Sequence, residues 1–227
     1  FISDSGRFYN GILDKILAFF GDEYDIGLDE GYSKDFTDIK ELKRDFIEFT
    51  DRTLTILDPY VYQWRGAIKA LYHKRGICEH GTGSGKSYTI TMVVNYLRYK
   101  NINHKILIMV PKLDLVEQFY EDMIKYGIPE TCLGKYTGHQ KDTSNPIIIS
   151  TWQSVYKNAN FLKQFTVFIA DECHGLKADV VRSVAERVVN CEWRLGFTGT
   201  MPEQKTDNLL VQGVLGPVID QALYEEL

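Results

Sequence analysis

The chain has 227 residues, 44% hydrophobic and 25% charged, a composition typical of a globular protein with a sizeable core. Its formal net charge of -5 argues against a uniformly basic nucleic-acid binder, although the positive side chains are concentrated between residues 61 and 127. No apolar run approaches the roughly 20 residues that a membrane-spanning helix requires, so we expect no membrane partner.

The four cysteines, Cys78, Cys132, Cys173 and Cys191, are far apart in the sequence and form no C-x-x-C pair. This spacing favours reduced thiols over disulfides or a zinc site, and therefore a cytoplasmic protein. The chain begins at Phe1 and shows no signal peptide, so we interpret it as part of a longer protein.

Residues 1–58 differ from the rest of the chain in their pattern of apolar and acidic residues. An apolar periodic stretch from about Tyr9 to Phe20 predicts a helix, which a turn-rich acidic segment follows. A second helix is predicted because apolar residues then recur at helical spacing, at Phe36, Ile39, Leu42, Phe46 and Phe49. Such stripes are usually packing faces, so we assign them no functional role.

From Pro59 onward, predicted helices and apolar strands alternate. Helices are predicted at 59–74, 86–100 and 113–127, in a short stretch from Trp152, and near 177–189. Strands are predicted at 76–78, 105–111, 132–138, 146–151, 166–172 and 193–199. Apolar strands separated by helices predict an α/β fold, a parallel sheet covered by helices on both faces. Ligands of such sheets bind at the carboxyl ends of the strands.

The segment HGTGSGKS, residues 80–87, joins the first of these strands to a helix. Glycines allow backbone N–H groups to face a phosphate, and the helix adds its positive N-terminal end. Lys86 would reach the β- and γ-phosphates of ATP, and the Ser87 hydroxyl would ligate Mg²⁺. The alternative is a glycine-rich helix cap without a ligand. The predicted nucleotide-binding loop comprises Gly81, Thr82, Gly83, Ser84, Gly85, Lys86 and Ser87.

The strict phosphate-loop pattern G-x-x-x-x-G-K-[ST] begins with a glycine, and this chain has His80 in that position. His80 is either a passive substitute or touches a neighbouring residue; we expect the passive role, in which ATP affinity does not depend on its side chain.

The segment FIADECH places two carboxylates at the end of an apolar strand, which is costly unless they have partners. Asp171 would hold Mg²⁺ through its water shell, and Glu172 would position and deprotonate the attacking water. Acidic residues that merely cap a strand are the alternative for either residue alone. Together with the glycine loop, the pair predicts a hydrolase.

The segments HGTGSGKS, VPKLDLVEQF, STWQSV, DECH and GFTGT occur in the order and spacing of superfamily 2 helicases of the DExH type, which this chain resembles over roughly residues 57–215. The resemblance implies a RecA-like P-loop NTPase domain at 59–227, an ATP-driven motor that requires Mg²⁺. It also implies a second motor domain with an arginine finger beyond residue 227. Residues 1–58 would be a small α+β remnant of an accessory, DNA-contacting domain.

The same resemblance implies roles for residues outside the loop and the DECH segment. Gln63 matches the glutamine that reads the adenine edge, and an amide can bond N6 and N7 of adenine together. Tyr62 or Trp64 could stack on the base, with packing in the protein core as the alternative for at least one of them. Thr198 and Thr200 match the pair that links hydrolysis to DNA, with His174 as their partner.

Contacts to the bound DNA strand are implied for residues that follow the middle strands. Lys112 stands where the family often has threonine. Phosphate contacts of this kind use hydroxyls, amides and backbone N–H groups, so they are compatible with an acidic chain. The implied residues are Pro111, Lys112, Gln118, Gly138, Thr151 and Gln153.

The sequence therefore predicts a monomeric ATP-dependent DNA helicase or translocase that acts on branched or duplex DNA. A restriction-type DNA translocase subunit and an RNA helicase share these motifs and stay open as alternatives. A nucleotide-gated binding module would not need Glu172, and a small-molecule kinase would need neither DECH nor T-G-T. Without the second motor domain we expect nucleotide binding but slow hydrolysis.

Overall fold

The computed structural model describes residues 39–53, 58–156, 158–175, 183–184 and 187–222. The helix predicted from Tyr9 to Phe20 lies outside these residues, as does most of the helix predicted near 177–189. None of the helices in the described ranges is long and apolar enough to cross a membrane.

A seven-stranded sheet forms the centre of the described part of the chain, and every strand pair in it is parallel. The strand order is β3-β4-β2-β5-β6-β1-β7. The predicted parallel sheet is confirmed, and β7 extends it beyond the prediction. The strands are β1 (Arg75–His80), β2 (Ile106–Val110), β3 (Leu133–Tyr136), β4 (Ile147–Thr151), β5 (Val167–Asp171), β6 (Trp193–Thr198) and β7 (Val218–Ala222).

Helices cover both faces of the sheet, as predicted. Alternate residues of β2 face opposite sides, so Ile108 lies in one apolar core and Leu107 in the other. The first core is shared with α1 to α4 and the second with α5 to α7. The helices are α1 (Ile39–Thr53), α2 (Val61–His73), α3 (Lys86–Lys100), α4 (Leu113–Lys125), α5 (Trp152–Val155), α6 (Ala159–Leu162) and α7 (Lys205–Leu215), with 3₁₀ turns at Glu130–Cys132 and Cys173–Gly175.

Helix α1 packs on α2 and α3 through aromatic side chains. Phe46 is fully buried, with its ring edge-on to Trp64 of α2 at 5.4 Å and to Tyr96 of α3 at 5.1 Å. Aromatic pairs of this geometry add stability beyond the area that they bury. Helix α1 therefore shares the first core, although the sequence suggested that it belongs to the segment before residue 59. The domain boundary at residue 58 stays a prediction.

The four cysteines are free, and Cys78, Cys173 and Cys191 are buried. Burial raises the pKa of the Cys191 thiol to about 12 and raises the pKa of Cys78 and of Cys173 as well. Thiols with raised pKa values are poor nucleophiles, so these side chains act as small apolar core residues.

Candidate functional site

The predicted phosphate loop connects the end of β1 to the start of α3. Gly85 is the N-cap of α3 and has φ 73°, a left-handed conformation that glycine adopts without strain. Among the described residues, no side chain caps the N-terminus of α3. The first N–H groups of a helix lack partners within it, so this end is open to an anion such as a phosphate.

Helix α2 holds the loop from one side through the carbonyl oxygen of Ser84. The Nε2 of Gln63 donates to this oxygen at 2.8 Å, and the hydroxyl of Tyr62 donates to it at 2.9 Å. The Oε1 of Gln63 accepts from the backbone N–H of Tyr60 at 2.9 Å. An amide can make further bonds at each end, so the adenine contact of Gln63 stays possible and stays a prediction.

The aromatic residues beside Gln63 are used mainly for packing. Trp64 packs against Phe46, and Tyr62 is only 6% exposed. Packing against the core, the alternative for at least one of the two, is therefore observed for Trp64, and base stacking by Tyr62 stays a prediction. Tyr60, which the sequence analysis did not consider, is 67% exposed and stacks on Tyr62 with ring centroids 5.6 Å apart.

A continuous polar path crosses three strand ends at the carboxyl edge of the sheet. The Nζ of Lys86 lies 3.2 Å from Oε1 of Glu172, which follows β5. The other carboxylate oxygen of Glu172 lies 3.2 Å from Nδ1 of His174. That nitrogen lies 2.7 Å from Oγ1 of Thr198, at the end of β6. The fold thus brings together four of the predicted site residues.

The proton positions along this path follow from the hydrogen-bond partners. The Thr198 hydroxyl donates its only proton to the carbonyl oxygen of Thr200 at 2.8 Å. Oγ1 of Thr198 must therefore accept from His174, so the Nδ1 of His174 carries a proton that Glu172 also attracts. Thr200 joins the path through its backbone carbonyl.

Asp171 sits beside this path in a different electrostatic environment. The pKa of its carboxyl is raised to about 7, chiefly by burial and also by repulsion from Glu172, while Lys86 acts in the opposite direction. Its Oδ1 is buried and has no hydrogen-bond partner among the described residues. A buried oxygen without a partner is costly, and a cation would satisfy it and favour the ionised form.

The chemistry of these donors fits Mg²⁺, a hard cation that prefers oxygen ligands and usually shares its site with phosphates. Ser87 and Asp171 are the residues that would hold it, as the sequence predicted. Bound there, the ion would supply charge neutralisation to the phosphates. No group of three or more His, Cys, Asp and Glu residues in the described ranges forms a metal site by itself.

The backbone of Glu172 is also unusual, with φ 48°. A non-glycine residue rarely adopts this left-handed conformation, and such strain is concentrated at functional sites. At this turn Glu172 contacts both Lys86 and His174.

The family model described as "Type III restriction enzyme, res subunit" matches residues 40–203. The chain belongs to this family. The res-subunit family is one of superfamily 2 helicases, so the resemblance is confirmed.

This chain is also similar to curated proteins and to solved structures of helicases and restriction enzymes. The ATP-dependent DNA helicase uvsW of Enterobacteria phage T4 is 28% identical over 181 residues, which are 75% of this chain and 36% of that helicase. A type I restriction enzyme endonuclease subunit of Staphylococcus aureus is 32% identical over 184 residues, covering 71% of this chain and 19% of that subunit. This chain thus spans about a third or less of the length of these relatives.

A crystal structure of the UvsW helicase from bacteriophage T4 superposes on this chain with a TM-score of 0.86. The sequence identity is 22%, and the match covers 97% of this chain and 81% of the solved one. The RecA-like fold predicted from the sequence is thereby confirmed.

The predicted DNA contacts of this chain follow β2, β3 and β4, which are neighbours in one half of the sheet. The predicted nucleotide-site residues other than Gln63 follow β1, β5 and β6 in the other half. Thr151 is buried, with Oγ1 2.9 Å from Oγ of Ser154, and Pro111 is half-buried. The other four residues predicted to contact DNA are exposed: Lys112, Gln118, Gly138 and Gln153. Their role in DNA binding stays a prediction.

A buried ionic cluster, which the sequence did not predict, lies next to the phosphate loop. Nε2 of His80 lies 2.9 Å from Oδ2 of Asp220 in β7, and neither side chain is exposed. Oδ1 of Asp220 accepts from Nε of Arg65 at 2.8 Å and from Nζ of Lys69 at 2.9 Å. His80 therefore touches a neighbouring side chain, which is the alternative that the sequence left open, and the expectation that ATP affinity does not depend on it stays a prediction. The sequence did contain a signal for this cluster, a single carboxylate, Asp220, in the apolar segment VIDQA. A carboxylate in a buried strand is costly unless it has a partner, as in the segment FIADE.

Asp220 keeps its charge in this cluster. Burial alone would raise the pKa of its carboxyl, but hydrogen bonds from His80, Lys69 and Arg65 outweigh burial and lower the pKa to about 2. Asp220 is therefore ionised at neutral pH, and its charge is neutralised by two cations of α2.

Proposed function

We propose that this chain contains the first motor domain, at residues 59–227, of an ATP-dependent DNA helicase or translocase. The observation that supports this most strongly is the polar path from Lys86 through Glu172 and His174 to Thr198. It connects the phosphate loop to the end of β6, so that a change at the nucleotide can reach a second segment of the sheet edge.

In this proposal the loop residues Gly81 to Ser87 and the N-terminus of α3 bind the phosphates of ATP. Lys86 neutralises phosphate charge, for which it must exchange its ion pair with Glu172. That exchange releases the Glu172 carboxylate to orient the attacking water and accept its proton. Gln63 reads the adenine edge, and Asp171 and Ser87 hold Mg²⁺.

The DNA strand is proposed to lie over the ends of β2, β3 and β4, against the exposed residues Lys112, Gln118, Gly138 and Gln153. Polar and backbone contacts to phosphate do not need a basic surface, which is compatible with the net charge of -5. DNA is favoured over RNA because the T4 relative is a DNA helicase. We also propose that the protein acts in DNA recombination and repair, that it is a monomer and that it is located in the cytoplasm.

A second motor domain outside residues 1–227 would supply an arginine finger, which contributes about 10³–10⁵ to turnover in related phosphoryl-transfer sites. We therefore propose that these residues bind nucleotide but hydrolyse it slowly by themselves. The segment 1–58 is proposed as part of an accessory domain that contacts DNA.

A restriction-type DNA translocase is the second candidate function. It is favoured by the 32% identity to the S. aureus restriction subunits, which exceeds the 28% identity to the T4 helicase. The two functions use the same motor, and a nuclease activity in the complete protein separates them.

The test is the ATPase rate of the complete protein without polymer and with single-stranded, duplex and forked DNA or with RNA. Stimulation by DNA, strongest with forks or duplex, is expected. Stimulation by RNA alone supports the RNA-helicase alternative, and ATP-dependent cleavage of duplex DNA supports the restriction enzyme. An ATPase rate that no polymer changes contradicts the motor proposal.

A further inference from the structure

We propose that His80, together with Gly66 and Asp220, forms a unit that positions the phosphate loop for nucleotide binding. These three residues, with the two cations that neutralise Asp220, are called the His80 unit below. The inference rests on the proposed nucleotide-binding function and makes His80 a positioning residue, because its side chain acts on the loop and not on the nucleotide.

An irregularity in the sheet brings Asp220 to His80. The register of β7 against β1 shifts between Ile77 and Cys78, so that Cys78 lies opposite Asp220 and Ile219 is the extra residue. Opposite residues of parallel strands face the same side, and side chains alternate along a strand. Without the shift Asp220 would lie opposite Glu79 and face the other side of the sheet. The bulge thus directs the carboxylate to the face that α2 covers.

Helix α2 leaves a space that the His80 ring fills. A Cβ atom added at Gly66 would lie 2.6 Å from Cε1 of His80 and 3.5 Å from Oδ2 of Asp220. Glycine weakens the interior of a helix relative to alanine, so its presence here is explained by the close approach of the ring. The ring of Tyr62 lies edge-on to His80 with ring centroids 5.8 Å apart.

The charges of the unit add a third constraint on the ring. Asp220 accepts from Arg65 and Lys69 of α2 through one oxygen and contacts His80 through the other. Because the carboxylate is an acceptor, the proton of the pair lies on Nε2 of His80. The ring therefore has a defined orientation as well as a defined position.

The backbone of His80 transmits this position to the loop. Its carbonyl oxygen accepts from Nζ of Lys86 at 3.4 Å, and the next N–H, of Gly81, donates to the carbonyl oxygen of Ala222 at 3.4 Å. Loss of the ring contacts would allow the His80 backbone to shift, and with it this carbonyl and the start of the loop relative to Lys86. The loop shape that binds phosphate therefore depends on a side chain at its first position.

The experiment measures the dissociation constants of Mg-ATP and Mg-ADP for the complete protein and its variants at a temperature where all are folded. His80→Ala and Gly66→Ala are each expected to weaken both nucleotides about tenfold, which corresponds to about 1.4 kcal/mol. Because both act on the same contact, the double variant should bind no more than about tenfold more weakly than wild type, whereas independent effects would multiply to about 100-fold. Multiplied effects contradict the ring contact.

Cys78→Ala is the matched control, since Cys78 lies on the same face of β1 and its Sγ is 3.7 Å from the carbonyl oxygen of Gly66. It should lower the melting temperature without changing nucleotide affinity. If His80→Ala behaves like this control, or if it fails to fold and Asp220→Asn binds nucleotide like wild type, the inference is wrong. Wild-type protein that binds no nucleotide contradicts the proposed function instead.

Discussion

The Nδ1 of His174 lies 2.7 Å from Oγ1 of Thr198 and donates its proton to this hydroxyl. The two residues follow neighbouring strands of the sheet, β5 and β6. His174 also lies 3.2 Å from Glu172, so the same imidazole contacts the proposed catalytic base and the end of β6. A shift of Glu172 during ATP turnover would therefore alter the bond to Thr198.

Replacing His174 by alanine should uncouple these two sites. We expect DNA-stimulated ATP turnover to fall about tenfold, because the loss of a hydrogen bond worth about 1.4 kcal/mol corresponds to a factor of about ten. Nucleotide affinity should change less than about threefold. His174→Asn is the control, because its amide can donate to Thr198 in place of Nδ1, and it should retain more of the stimulation. Equal losses in affinity and turnover would assign His174 to nucleotide binding.

Glu172→Gln should separate ATP binding from hydrolysis. The amide keeps the shape of the side chain but cannot accept the proton of the attacking water, so turnover should fall about 10²–10⁴-fold. Removal of the ion pair with Lys86 leaves that lysine available to phosphate, so ATP affinity should stay equal or increase. Single-turnover hydrolysis and equilibrium ATP binding measure the two effects. A turnover rate close to wild type would exclude Glu172 as the base.

The contact between Gln63 and Ser84 should be required for nucleotide affinity. In Gln63→Glu a carboxylate oxygen replaces the donating Nε2 and faces the carbonyl oxygen of Ser84 at a distance of 2.8 Å in the wild type. Repulsion between two acceptors, and the loss of a donor to adenine, should weaken ATP binding about tenfold or more. Tyr62→Phe removes the second bond to the same carbonyl and should have a smaller effect. Similar values for both variants would mean that Gln63 only supports the loop.

The contribution of Asp220 to stability should depend on pH. Its pKa is lowered to about 2 in the folded protein, below the ordinary value of 3.8, so its charge stabilises the fold above the ordinary value. Asp220→Asn should cost about 1–3 kcal/mol at pH 7, less than a fully buried pair because Arg65 and Lys69 are about one third exposed.

That difference should be constant from pH 7 to pH 5 and decrease as the pH falls through the range between 3.8 and about 2. Unfolding free energies of wild type and variant, measured by denaturant titration at pH 7, 5, 4 and 3, test this dependence. A difference that grows below pH 4 would mean that Asp220 is not the group that titrates.

Local sequence patterns predicted a helix or strand correctly where the residues that define it lie close together in the chain. The helix predicted at 86–100 is Lys86–Lys100 in the structure, because a glycine in a left-handed conformation precedes it and apolar residues fill it. Helix α7 and strand β7 were missed, since the residues after 199 carry no motif. VIDQA is short and is interrupted by a charge.

The sequence by itself determined the parallel α/β fold and singled out the candidate nucleotide-site residues, because glycine loops and strand-end carboxylates are recognisable from their local spacing alone. Only the tertiary structure showed the partner of His80, which lies 140 residues away in Asp220. That contact depends on the pairing of β7 with β1 and on a one-residue bulge, and neither leaves a periodic pattern. A buried charge is paired by whichever strand the fold places beside it, and pairing between distant strands is decided by packing of the whole sheet.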